Sequence, residues 1–122
     1  MPIIEIEIVV KNSNELPSDL AQSLADASAV VLKSKVGGTW VKLRHLESPF
    51  YAENDTDSST AMPVFVSLLL GKCGDQKERI SIAKELTRAI SQVTRRPEEN
   101  VHILFEPEGI GRIAFGGKLL TT

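Results

Sequence analysis

The sequence begins Met1-Pro-Ile-Ile-Glu-Ile-Glu-Ile-Val-Val10, and this stretch predicts the first strand of the fold. From Ile3 onward its side chains alternate, and a period of two in β-branched residues is typical of a strand with one buried face. One side carries Ile4, Ile6, Ile8 and Val10, and the other carries Ile3, Glu5, Glu7 and Val9. Pro2 stands at the tip of this strand and would become a free secondary amine if Met1 were removed.

A helix and a second strand are predicted next. The helix opens near Pro17, because a proline in the first turn costs no hydrogen bond. Its apolar stripe is Leu20, Leu24, Ala27 and Val31. Gly37-Gly38 ends the helix, and residues 39–46 form the strand. Its two faces are Trp40, Lys42, Arg44 and Leu46 against Val41, Leu43 and His45, so we expect His45 to be partly buried.

The second half repeats this order. Residues 63–70 predict a strand that again opens with a proline, Pro63. Asp75 then begins a helix, with Glu78 placed as in a capping box. The apolar stripe of this helix is Ile82, Leu86, Ala89 and Val93, and its end carries Arg95 and Arg96, which we interpret as helix-end charge. Residues 101–106 form the fourth strand, and the Gly-rich tail is assigned no strand.

The predicted fold class is therefore α+β, in a single domain spanning 1–122. Two consecutive β-α-β units, about 1–46 and 62–120, are joined by a polar linker, 47–61. Strands joined through a helix are expected to be parallel, giving a four-stranded sheet with two helices on one face. The other face is half apolar, with Ile3, Val9, Leu46 and Leu104 among its residues. Such a face predicts a homo-oligomer.

Composition narrows the function classes. The chain has 122 residues, 14 Lys and Arg against 16 Asp and Glu, and a net charge of −2. Without a basic excess, a nucleic-acid partner is not expected. No apolar run is long enough for a bilayer, and a single cysteine provides no multi-cysteine metal site. We expect a cytoplasmic protein with no membrane partner and no metal.

Several motifs together resemble the 4-oxalocrotonate tautomerase family. They are the N-terminal Met-Pro-Ile strand, DQKERI at 75–80, LTRAIS at 86–91, PEENVHILFE at 97–106 and FGGKL at 115–119. The resemblance covers nearly all of residues 63–120, and the first half matches in pattern. The chain thus resembles a fused, two-unit family member, similar in length to macrophage migration inhibitory factor. This implies a tautomerase-like trimer that needs no cofactor.

The resemblance also implies a chemistry. The N-terminal proline of the family is a general base that moves a proton in a 2-hydroxydienoate or 2-keto acid, and here that residue is Pro2. An ordinary α-amino group has a pKa near ~8. An apolar pocket and nearby cations lower this pKa toward neutrality, where a general base is most efficient. The small substrate bears a carboxylate and develops an enolate oxygen, and both favour cationic donors.

By matching to the family, the substrate-binding cations are predicted at Lys42 and Lys72, with Arg44 and Arg112 beside the matched positions. The family typically has arginine at the matched positions, and an aromatic residue where this chain has Ile113. Lysine lacks the planar fork of arginine, so the resemblance implies general proton-transfer chemistry rather than 4-oxalocrotonate as the substrate. An alternative for Lys42 and Arg44 is a solvated strand face or ion pairs with Glu5 and Glu7.

Two other functions remain open from the sequence. A hydratase or dehalogenase of the same superfamily would use a protonated proline and a carboxylate to activate water. A non-catalytic trimeric scaffold would have kept the fold and lost the activity, as it would if Met1 were retained, since Pro2 would then be an amide.

Overall fold

The computed structural model describes residues 2–57 and 62–122. Its main elements, in chain order, are β1 (Ile3–Val10), α1 (Leu20–Leu32), β2 (Trp40–Glu47), β3 (Val64–Leu69), α2 (Gln76–Thr94), β4 (Val101–Phe105), β5 (Ala114–Phe115) and β6 (Lys118–Leu119). Met1 and residues 58–61, at the end of the predicted linker 47–61, lie outside the described residues.

The four long strands form one mixed sheet in the order β2-β1-β3-β4. Within each β-α-β unit the strands are parallel, as predicted. The two units join through β1 and β3, which run antiparallel, with Ile3 paired to Leu69 and Ile8 paired to Val64. This antiparallel pairing brings the start of β1 beside the end of β3.

The core lies between this sheet and the two helices, which cover one face of it and confirm the predicted fold class. The side of β1 predicted to be buried is at most 1% exposed. α1 contributes Leu20 and Leu24, and α2 contributes Leu86 and Ile90. Asp75 caps α2 as predicted, because its carboxylate accepts a hydrogen bond from the Glu78 backbone N–H at 2.8 Å.

The tail differs from the expectation, since residues 114–119 form a two-stranded hairpin, β5–β6. Gly116 and Gly117 make its turn with φ of +57° and +88°. Consecutive residues with positive φ are typical of a two-residue hairpin turn, and glycine adopts this conformation without strain. Strands of two residues are too short to show an alternating pattern, but the Gly-Gly pair was the available signal.

Three residues differ from the prediction in their exposure or their contacts. His45 is exposed, because β2 is an edge strand and has a neighbour on one side only. Val9 is only 1% exposed although it points to the face predicted to be uncovered. Arg96 is half-buried and donates hydrogen bonds to the backbone carbonyls of Val9, at 3.0 Å, and Met62, so it is more than a helix-end charge.

In the described part of the chain, no helix is both long and apolar enough to cross a membrane.

Candidate active site

Pro2 is buried at the edge of the sheet where β1 begins. Its carbonyl accepts a hydrogen bond from the Trp40 backbone N–H at 2.9 Å, which ties the start of β1 to the start of β2. On the other side, the pairing of Ile3 with Leu69 sets Pro2 beside Leu70 at the end of β3. The predicted base therefore stands between two strands, at the end of the sheet where β3 turns toward Lys72.

The C-terminal segment lies across the same end of the sheet. The Gly109 N–H donates to the Leu70 carbonyl at 2.8 Å, and the Ile110 N–H donates to the Gly71 carbonyl at 3.3 Å. A Cβ atom at Gly109 would lie 3.1 Å from the Ile113 side chain and 3.4 Å from the Leu70 carbonyl oxygen. The absence of a side chain at Gly109 thus lets the segment approach the sheet closely.

A cavity of ≈ 370 Å³ opens at this end on the sheet face away from the helices. We call it the first cavity. Its apolar lining includes Ile3, Leu69 and Ile113, and its charged lining is Glu5, Lys42, Glu106 and Arg112. The structure thus brings together two of the predicted substrate-binding cations, Lys42 and Arg112, beside the residue that follows Pro2.

Lys42 and Arg44 both pair with Glu5. The Lys42 Nζ lies 2.9 Å and the Arg44 Nη2 lies 3.4 Å from the same carboxylate oxygen of Glu5. The strand register explains this, because Glu5 stands directly opposite Lys42. The hydrogen bond and charge of Lys42, together with the charge of Arg44, hold the pKa of Glu5 below its ordinary value. All three side chains are about half exposed, and such ion pairs contribute roughly 0–1 kcal/mol.

Arg44 lines a second cavity of ≈ 340 Å³ on the same sheet face. This second cavity shares Glu5 and Lys42 with the first and adds Phe65 and His102, whose ring centroids lie 5.6 Å apart. The Tyr51 ring, from the segment after β2, lies 5.8 Å from Phe65. Arg44 and Arg112 therefore line different cavities, and Arg44 shares its cavity with the rings of Phe65 and His102.

Lys72 is exposed on the turn after β3 and lines neither cavity. The next residue, Cys73, is buried, and its N–H donates to the Glu108 carboxylate at 2.7 Å. Burial and the nearby Glu108 raise the pKa of the Cys73 thiol. A thiol held protonated in this way is a poor nucleophile.

Sequence reasoning missed an aromatic pair near Pro2. The Trp40 and Phe115 ring centroids lie 5.5 Å apart at an interplanar angle of 85°, an edge-to-face contact. The Trp40 indole N–H also donates to the Gly37 carbonyl at 3.0 Å. The hairpin places Phe115, rather than position 113, against an aromatic partner, and the Gly-Gly turn that follows Phe115 was the signal for it.

Within residues 2–57 and 62–122, no group of three or more His, Cys, Asp or Glu side chains could hold a metal ion.

Comparison with known proteins gives two kinds of match, while no protein-family model matches the chain. Proteins of Bacillus cereus and Bacillus anthracis, each named "Probable tautomerase", are 36% identical to it over 58 residues. This match spans 48% of this chain and 92% of each relative. One β-α-β unit of this chain is therefore similar in length to a whole relative.

Solved structures match over nearly the whole chain. A fused 4-OT solved as an asymmetric trimer has a TM-score of 0.77 at 14% identity, covering 97% of this chain and 95% of its own. Macrophage migration inhibitory factor from Oncomelania hupensis has a TM-score of 0.74 at 16% identity, and the match covers 99% of this chain and 83% of that protein. A protein inactivated by 2-oxo-3-pentynoate has a TM-score of 0.72 at 16% identity, and the match covers 97% of this chain and 94% of that protein.

The structural matches have low identity, so they establish the fold, which is the predicted tautomerase fold. The Bacillus relatives are matched over nearly their whole length, and they confirm the predicted enzyme class, an isomerase of the tautomerase type. From these relatives and the fused two-unit fold, we conclude that this chain belongs to the tautomerase family.

Proposed function

We propose that the protein is a cofactor-independent tautomerase that moves a proton in a 2-hydroxydienoate or 2-keto acid, with the Pro2 amine as general base once Met1 has been removed. One observation carries this proposal. Pro2 is buried at the end of the sheet, and the residue that follows it, Ile3, lines a cavity that contains two cations. Without Met1, a secondary amine would stand at this position.

The buried position suits a base. Low local polarity disfavours the ammonium form of an amine, so burial lowers its pKa from the ordinary ~8 toward neutrality. The unprotonated nitrogen then takes a proton from the substrate enol or α-carbon and returns it to another carbon. Since the proton is returned, the reaction consumes no co-reactant.

The two cations of the first cavity have complementary roles in this proposal. Arg112 binds the substrate carboxylate, because no ion pair found among the described residues involves it. Lys42 lines the same cavity from β2 and stabilises the developing enolate oxygen, although it also pairs with Glu5. Lys72 and Arg44 lie outside this cavity, and we assign them long-range attraction of the anionic substrate.

We further propose a homotrimer. The sheet face away from the helices remains uncovered in a single chain and exposes Trp40 and Leu104 at 51% and 62%. Similar fused 4-OT structures are trimers. Equilibrium sedimentation of the protein tests this assembly, and a monomer at micromolar concentration would contradict it.

Turnover measurements test the role of Pro2. We expect Pro2→Ala to slow keto–enol conversion of phenylpyruvate by roughly 10²–10⁴-fold, the usual contribution of a positioned base. Pro17→Ala is the control, because Pro17 is an exposed proline of the same half. Intact mass spectrometry of the native protein is expected to show a mass without methionine. A retained Met1, or full activity of Pro2→Ala, would overturn the proposal.

One observation favours a second candidate, hydration. Glu106 is half-buried and lines the first cavity with Arg112, so a carboxylate able to activate water is present. Product mass separates the two reactions, because hydration of a 2-hydroxydienoate adds one water and tautomerisation leaves the mass unchanged.

A further inference from the structure

The charges that line the first cavity are balanced. Lys42 and Arg112 face Glu5 and Glu106, so the cavity carries two cations and two anions. The second cavity repeats the pattern, with Lys42 and Arg44 against Glu5 and Glu7. A cavity built to hold two carboxylates would need an excess of positive charge, and neither cavity has one.

Glu5 is the anion common to both cavities. One of its oxygens accepts from Lys42 at 2.9 Å and from Arg44 at 3.4 Å. Glu5 is therefore already ion-paired with both of these cations. Neighbouring cations keep its pKa below the ordinary value, and it is therefore ionised at neutral pH. Arg112 is the cation of the first cavity that has no ion-pair partner among the described residues.

The rest of the lining is apolar. Ile3, Leu69 and Ile113 border the first cavity, and Phe65 and Leu104 border the second. The first cavity alone contains Arg112, this apolar lining and Glu5. A ligand anchored at Arg112 would extend over its aliphatic side chains toward Glu5.

We propose that Glu5 makes this site selective for monocarboxylate substrates with an apolar chain, and that it excludes dicarboxylates. The second carboxylate of a dicarboxylate would have to displace Glu5 from Lys42 and Arg44, whereas an apolar chain leaves these ion pairs in place. The inference rests on the proposed function, because it takes the first cavity as the substrate site. It names the substrate class for that site and the residue that selects it.

Two six-carbon acids test the selectivity directly. Hexanoate and adipate differ by one carboxylate, and neither can tautomerise, so the assay measures binding alone. Trp40 reports binding through its fluorescence, because it is the only tryptophan of the chain and neighbours both Ile3 and Lys42 on this face. For the protein without substitutions, we expect hexanoate to bind roughly three- to tenfold more tightly than adipate at low salt.

The decisive variant is Glu5→Gln, which keeps the size of the side chain and removes its charge. We expect adipate affinity to rise roughly tenfold and hexanoate affinity to rise about threefold or less. Glu7→Gln is the matched control, because Glu7 lies two residues further along the same face of β1 and does not line the first cavity. An unchanged ratio in Glu5→Gln, or the same shift in both variants, would overturn the proposal.

Two further measurements check the same proposal independently of Glu5→Gln. Arg112→Met is expected to weaken both ligands by a similar factor, and loss of adipate binding alone would contradict the placement of the first carboxylate. Salt dependence in the unsubstituted protein checks the result without any variant, since the preference for hexanoate is expected to shrink at high ionic strength. A preference that is independent of salt would contradict a role for charge.

The binding and turnover experiments can contradict the two proposals independently. If Pro2→Ala retains full activity while Glu5→Gln shifts the binding ratio, the general base is misassigned and the selectivity of the site stands. If Pro2→Ala is inactive and the ratio does not move, the tautomerase proposal stands and the role of Glu5 is wrong.

Discussion

The two ends of the antiparallel pair β1–β3 are built alike. At one end Pro2 leads into β1 beside Leu70 of the other unit. At the opposite end Pro63 leads into β3, and its carbonyl accepts from the Val9 N–H at 3.0 Å at the end of β1. Both prolines are buried. The repeat thus places equivalent prolines at equivalent positions of one sheet.

The surroundings of the two prolines differ in two respects. The nitrogen of Pro63 follows Met62 and is an amide, so it cannot act as a base, whereas Pro2 gains a free amine if Met1 is removed. The Pro63 end is also tied together by Arg96, whose guanidinium donates to the Val9 and Met62 carbonyls. The comparison teaches that a fused repeat can give its two ends different capacities, because only the Pro2 end can present a free amine and only the Pro63 end is tied by Arg96.

Covalent labelling gives the largest expected contrast between the two ends. An amine adds to the distal alkyne carbon of 2-oxo-3-pentynoate, forming a C–N bond, and its proton moves to the carbon beside the ketone. We expect one adduct, on the peptide that begins with Pro2, and an unchanged labelling rate in Pro63→Ala. Mass spectrometry of proteolytic fragments locates the adduct, and a label on the Pro63 peptide would contradict the assignment.

Arginine substitutions at the two ends are expected to change different quantities, the KM at one end and the stability at the other. Arg112→Met should raise the KM roughly 10- to 100-fold through loss of a charge-assisted hydrogen bond, with little change in stability. Arg96→Met should lower the free energy of unfolding by about 1–3 kcal/mol, because two carbonyls lose a half-buried donor, while the KM stays the same. Steady-state kinetics and urea unfolding measure both quantities.

Arg95→Met is the control for the Arg96 experiment, because Arg95 is exposed at the next position of the chain. Its free energy of unfolding should stay within about 0.5 kcal/mol of the original. An equal loss in both variants would show that helix-end charge, rather than the two hydrogen bonds, explains the effect.

A smaller contrast between the two units is the hydrogen bonding of one serine hydroxyl in each helix. The Ser28 hydroxyl in α1 is fully buried and has no hydrogen-bond partner in the described part of the chain. The Ser91 hydroxyl in α2 donates to the Arg96 carbonyl at 2.6 Å. We expect Ser28→Ala to stabilise the protein by about 1 kcal/mol and Ser91→Ala to destabilise it by a similar amount. Equal signs in thermal unfolding would contradict this contrast.

The pH dependence of the Lys42–Glu5 pair is expected to be the smallest effect. Because the pKa of Glu5 is lowered in the folded state, the pair stabilises the fold above the ordinary pKa of glutamate. This contribution is lost as the pH falls through the lowered value. Glu5→Gln should therefore lose less stability than the original protein between about pH 5 and about pH 3. Parallel urea midpoints at both pH values check it, and identical losses would contradict it.

Much of the fold was predictable from local pattern. The alternation in residues 3–10 and the stripes of the two helices predicted most of the side chains that face the core, because the period of apolar residues follows directly from strand and helix geometry. Ser28 and Ile90 are also buried and lay outside the predicted stripes. The Asp75 cap was predictable for the same local reason. The exposed His45 was mispredicted because strand alternation does not reveal which strand is at the edge of the sheet.

The candidate site was predictable only in part. Its residue types followed from the resemblance, and Lys42 and Arg112 do line one cavity. The sharing of one Glu5 oxygen by Lys42 and Arg44 depends on the β1–β2 register, and the Trp40–Phe115 contact depends on the hairpin. Neither can be deduced from the spacing of the residues along the chain.

By itself, the sequence determined the order of strands and helices, their buried faces and the proline at each unit's start. These features depend on residues that are only a few positions apart in the sequence. The tertiary structure decided that β1 runs antiparallel to β3, so that Pro2 lies beside Leu70 and the tail crosses the end of β3. That pairing joins residues 56 to 66 positions apart, and its free energy is the sum of contacts that no local pattern encodes.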